Sequence, residues 1–60
     1  STAIKGKQLA QAFVMVRKEF LRLNVASIDG VVVRPVNEEN DPERINVHVQ
    51  DSIVKRAWIG

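Results

Sequence analysis

From Lys7 to Leu23 the chain contains neither Gly nor Pro. Along this stretch Leu9, Phe13, Val16, Phe20 and Leu23 recur at the three- and four-residue spacing of one helix face. The spacing predicts an amphipathic helix over about residues 7–23, with Ala12 at the margin of its apolar face and Asn24 as its C-cap. A second apolar stripe, Ala10, Val14 and Leu21, falls on nearly the opposite side of the same wheel, bordered by Lys7, Arg17 and Lys18. Scattered surface apolar residues need no special explanation, but three together also define a candidate partner surface.

After Asn24 the rhythm changes. Asp29-Gly30 is a tight-turn dipeptide, because Gly adopts positive φ without a steric cost. Ile28 before it and Val31-Val32-Val33 after it are β-branched. The valine run predicts a strand over about residues 31–36, buried on both faces and closing at Pro35, which cannot donate to a ladder. A short extra strand over 25–28 is a further option. Residues 37–43, NEENDPE, are polar and acidic and read as a loop. Residues 44–50 then alternate. Ile45, Val47 and Val49 are expected to face the core, and Arg44, Asn46, His48 and Gln50 to face out. Asp51-Ser52 is a turn. A last strand over 53–59 is expected to place Ile53, Ala57 and Ile59 on one face and Val54, Arg56 and Trp58 on the other. The sum is one α+β domain spanning residues 1–60. In it a single amphipathic helix packs on a small, mainly antiparallel sheet of three to four strands.

Size narrows what such a domain can do. Sixty residues bury only about 60 % of the surface that the unfolded chain exposes, so the core is small and an enclosed pocket has little room. No cysteine is present, which removes disulfides, thiolate zinc sites and a cysteine nucleophile. No apolar run approaches the ~18 residues of a membrane-spanning helix. Nine Lys and Arg against seven Asp and Glu give a net charge of +2. That balance is too weak to mark a nucleic-acid binder by itself. The charges are unevenly placed, however. The helix region is basic, Glu38, Glu39, Asp41 and Glu43 crowd the loop, and Lys55 and Arg56 close the chain.

Few residues suggest catalysis. His48 is the only histidine and falls on the outward side of a strand, where a solvated imidazole is the ordinary outcome. Ser1, Ser27 and Ser52 lack the base and orienting group that a nucleophile requires, so no triad is assigned. The acidic loop lacks the ligand spacing of a calcium-binding EF-hand. Neither a metal nor a cofactor is expected. Lys7, Arg17, Lys18, Lys55 and Arg56 could meet phosphates, but Trp58 is the only aromatic residue free to stack on a base, which makes nucleic acid a weak candidate.

The C-terminal third points elsewhere. Arg44-Ile45-Asn46-Val47-His48-Val49, a short turn, Ile53, and then Arg56-Ala57-Trp58-Ile59-Gly60 resembles the end of the potato inhibitor I family. It is closer still to the bacterial and fungal relatives, whose last strands read Arg-Leu-Asn-Val and close on Gly. Gly6-Lys7 resembles the pair that opens the family's helix. Val31-Val32-Val33-Arg34-Pro35 resembles the strand whose proline leads into the inhibitory loop. The resemblance implies a helix on a small sheet, with an extended loop that enters a serine protease's cleft like a substrate. It also implies that Arg44 and Asn46 brace that loop. The interval between Pro35 and Arg44 is shorter than the family's, and it is acidic.

The expected function is therefore protein binding rather than catalysis. A serine protease inhibitor that presents Asn37, Glu38, Glu39, Asn40 and Asp41, supported by Arg44 and Asn46, is the first reading. The alternative is a structural or adaptor module that forms a homo-oligomer or docks a partner through Ala10, Val14 and Leu21. A small nucleic-acid binder is the third.

Overall fold

The computed structural model describes residues 2–34 and 40–60. A 3-10 turn, Thr2–Ile4, precedes the helix α1, Leu9–Lys18. Four strands follow: β1, Arg22–Ile28; β2, Val31–Val32; β3, Arg44–Gln50; and β4, Ile53–Ile59. They form one sheet in the order β2-β1-β3-β4. The outer pairings are antiparallel, and the central pair, β1 with β3, is parallel. The chain is thus an α+β domain, with a mixed sheet under the helix.

The helix is shorter than its periodicity predicts, for a different reason at each end. Before Leu9 the backbone is engaged by β4 and the turn before it: Gly6 N–H donates to Val54 O, Val54 N–H to Lys7 O, and Leu9 N–H to Ser52 O. Lys7 and Gln8 therefore pair at a sheet edge instead of opening the helix. At the other end the helix closes in a Schellman motif. Phe20 N–H donates to Arg17 O, and Leu21 N–H reaches back to Val16 O at 3.1 Å. The left-handed residue of that motif is Phe20, at φ 60°. Leu23 and Asn24, expected as the end of the helix and its cap, belong to β1 instead.

The buried face is rotated accordingly. Ala12 and Val16 are buried, with Leu9 and Met15 packed beside them. Phe13 sits at the rim, 48 % exposed, and Phe20, beyond the helix, is 91 % exposed. Alanine at position 12 lets the helix lie close over the sheet. Ile4, Ile45, Val47, Val49 and Val54 complete the core, and Leu21, Leu23, Val25 and Ala57 pack against it.

Both expected turns form. Asp29 and Gly30 have φ of 49° and 81°, and Asp51 and Ser52 have φ of 52° and 65°, the double positive φ of two-residue hairpins. The turns brace each other, because Asp51 N–H donates to Asp29 Oδ1 at 2.8 Å and Asp29 N–H to Val49 O at 2.8 Å.

The valine run behaves unlike a buried strand. Val31 and Val32 pair with β1, Val33 adds one N–H bond to Ala26 O, and Val31 and Val32 are 67 % and 68 % exposed. They form an edge with no layer packed on either side among the described residues, so β-branching here sets the backbone and not burial. In β4 the register slips between His48 and Val49, whose partners are Arg56 and Val54. Lys55 is the extra residue of that bulge. The slip moves Val54 into the core in place of Ile53.

Candidate functional site

Parallel strands cannot be joined by a tight turn. The chain leaving β1 must return to the start of β3, and it does so through the hairpin to β2 and then residues 33–43. Asn37, Glu38 and Glu39 lie outside the described residues. The arm that descends into β3 is well held. Asp41 Oδ1 accepts the Glu43 N–H at 3.0 Å, an Asx turn closed across Pro42. Arg44 N–H donates to Asp41 O at 3.1 Å, and Arg22 N–H to Glu43 O at 2.7 Å. The Arg22 guanidinium pairs with the Asp41 carboxylate. The Glu43 N–H is the largest cause that holds the Asp41 carboxyl below its usual value; desolvation opposes it, and Arg22 and then Arg44 add to the lowering.

Arg44 and Asn46 converge on one atom. Arg44 Nε and Nη2 donate to the Gly60 carbonyl oxygen at 2.9 and 2.6 Å, and Asn46 Nδ2 donates to the same oxygen at 2.6 Å. Gly60 N–H returns a bond to Arg44 O at 3.1 Å. Asn40 Oδ1 lies over Gly60, 3.8 Å from the position of a Cβ there. Asn46 points away from the helix-covered face as expected, yet it is fully buried, because Asn24 Nδ2 donates to its Oδ1 at 3.0 Å and Trp58 is its cross-strand neighbour. The start of β3 and the end of β4 are therefore tied at a single acceptor, and the descending arm is held separately by Arg22 and the Arg44 N–H.

The alternative surface is not assembled. Ala10 and Val14 are exposed on the helix. Leu21 lies beyond the helix end and packs against the core, because the Schellman turn carries it inward. The basic candidates are also dispersed. Arg17 and Lys18 end the helix, whereas Arg56 lies on the other side of the sheet, its guanidinium carbon 5.2 Å from the Trp58 ring centroid. Trp58 also contacts the His48 ring, centroid to centroid 4.9 Å. Ser27 Oγ is within hydrogen-bonding distance of His48 Nδ1. The two residues are register partners on β1 and β3, and Ser27 is buried, so the contact ties strands together.

Sequence reasoning passed over Arg22 and the Gly60 carbonyl. The Asp-Pro-Glu step of the loop is the one local signal that could have marked Asp41 as a turn-forming acceptor. Arg22 gave none, because its partner lies 19 residues away. Among the described residues no group of His, Asp and Glu could hold a metal ion, and no helix is long and apolar enough to cross a membrane. No family model, curated protein or solved structure matches the chain.

Proposed function

We propose that the chain is a protein-binding domain that offers the connection between β2 and β3 to a serine protease as a poorly cleaved substrate mimic. The observation that carries this reading is the convergence of Arg44 and Asn46 on Gly60 O, beside the Arg22–Asp41 pair. Arg44 and Asn46 are the residues to which the family resemblance gives loop support. A segment inhibits when its ends are fixed, because little conformational freedom is lost on binding and a cleaved bond is held in place to re-form. Glu38 and Glu39 make a Glu-specific protease a natural target, and Asn37, Asn40 and Asp41 would flank the contact. Titration of the chain against a panel of serine proteases that includes Glu-specific enzymes tests the proposal. Inhibition of at least one at micromolar concentration is expected, and no inhibition across the panel would sink it.

A second reading, self-association, draws support from the β2 edge and not from the helix. Val31, Val32 and Val33 are exposed and carry none of the charges that ordinarily guard an edge strand. The opposite edge, β4, is partly covered by residues 6–9 and interrupted by its bulge.

A further inference from the structure

Of the five basic residues that the sequence offers to phosphates, Arg17 and Lys18 end the helix. The other three gather where β4 begins, and Lys5 joins them. Gly6 N–H donates to Val54 O at 2.8 Å and Val54 N–H to Lys7 O at 2.9 Å, so Lys5 and Lys7 flank the residue that meets Val54 across the edge. Gly6, at φ 86°, lies in a turn closed by Lys7 N–H on Ile4 O at 3.1 Å, which fixes both lysines against the sheet. Lys55, the bulge residue, follows Val54, and Arg56 comes next, opposite His48. All four cations are exposed, and none makes an ion pair among the described residues. Residues 35–39 join Arg34, held to Ala26 on β1, to Asn40, beside Gly60. Both anchors lie away from Val54, the second about 20 Å along β4. Two rings adjoin the rim. Trp58 contacts His48, centroid to centroid 4.9 Å, and the Arg56 guanidinium lies 5.2 Å from the Trp58 centroid. Both rings are half-buried. The net charge of +2 understates this rim, because four of the seven acidic residues crowd positions 38–43.

We propose that this rim and its rings bind single-stranded nucleic acid. Lys5, Lys7 and Lys55 contact successive phosphates, and a base stacks on the His48–Trp58 pair beside Arg56. The two features together select this occupant. Neighbouring ammonium groups attract any polyanion, but only a strand with unpaired bases also uses the π surface next to them, and it does so without reading sequence. The site does not require the inhibitor reading, and no protease enters its test.

The test is a titration of the chain with a thymidine decanucleotide, followed by the fluorescence of Trp58, the single tryptophan. Saturable quenching at low salt is expected. The affinity should fall with a log–log salt slope of about −2, the value for three phosphate contacts on a single strand. The double variant Lys7→Ala/Lys55→Ala, at exposed positions and checked for folding by circular dichroism, should bind about tenfold more weakly at low salt, with a slope near −0.7. Arg17→Ala/Lys18→Ala removes the same charge from the helix end and should bind as the parent does. No quenching at about 100 μM oligonucleotide and low salt would overturn the proposal. So would equal losses in the two folded double variants, or a glutamate decapeptide that quenches Trp58 as strongly, which would assign the rim to acidic polypeptides instead.

Discussion

Phe20 ends the helix in a conformation that its own side chain resists. At φ 60° a residue with a Cβ crowds the neighbouring carbonyl, at roughly 1–2 kcal/mol relative to the right-handed region. Glycine removes that cost but returns about 0.5–1 kcal/mol through its greater freedom in the unfolded chain. The ring is 91 % exposed, so replacing it sacrifices little apolar burial. Phe20→Gly is therefore expected to stabilise the domain by about 0.5–1 kcal/mol, a rise in Tm of roughly 4 °C for a chain this short. Phe20→Ala keeps the Cβ and should stay within about 0.5 kcal/mol of the parent. Thermal and urea unfolding followed by Trp58 fluorescence and by circular dichroism measures both variants. A fall in Tm for Phe20→Gly, or equal gains for the two variants, would refute the left-handed cap and with it the account of why the helix stops at Lys18.

Asn46 is fully buried and makes side-chain bonds to Asn24 and Gly60. Asn46→Ala should cost about 2–3 kcal/mol, a large share of the ~3–9 kcal/mol expected of a domain this size, while exposed Gln50→Ala stays within about 0.5 kcal/mol in the same urea titration. Asp41 has its pKa lowered in the folded state by the Glu43 N–H and Arg22. Its contribution is therefore complete above the unfolded carboxyl value of about 3.9 and is lost as pH falls through the lower folded value. Urea midpoints measured between about pH 5 and pH 2 should show an acid-side loss that is smaller in Asp41→Asn. Val32→Lys places a charge on the exposed β2 edge and should change stability by less than about 0.5 kcal/mol. If the chain self-associates through that edge, sedimentation velocity should show concentration dependence in the parent and not in the variant. A parent that stays monomeric at high concentration removes the second reading.

Much of the sheet was legible because its signals are local. The alternation of Ile45, Val47 and Val49 depends only on strand period, and Asp29-Gly30 and Asp51-Ser52 depend only on turn chemistry. The end of the helix was not legible, because glycine ordinarily marks a left-handed cap and Phe20 occupies the position here. The apolar spacing runs on to Leu23 regardless. With the helix read too long, Arg22–Ile28 was largely hidden as a strand, and so was the parallel pairing with β3, which depends on where distant segments dock. The inward position of Val54 depends on a bulge of one residue, which period-two reading cannot see. Within the candidate site, Arg44 and Asn46 were marked by resemblance, but their shared acceptor was not, because a backbone carbonyl carries no sequence signature. The pairing of Arg22 with Asp41 arises only from tertiary placement.

The most direct measurement of the central proposal joins inhibition to cleavage. The parent chain and Arg44→Ala would each be incubated with every enzyme of a serine protease panel, recording the inhibition constant and, by mass spectrometry, the position and rate of hydrolysis. If the segment is a braced substrate mimic, at least one enzyme is inhibited at micromolar concentration and cuts the parent slowly between residues 36 and 43. Arg44→Ala, still folded by circular dichroism, is cut faster at the same bond and inhibits more weakly. Absence of inhibition across the panel, or parent and variant cleaved at the same rate as a short peptide of the same segment, would contradict the account.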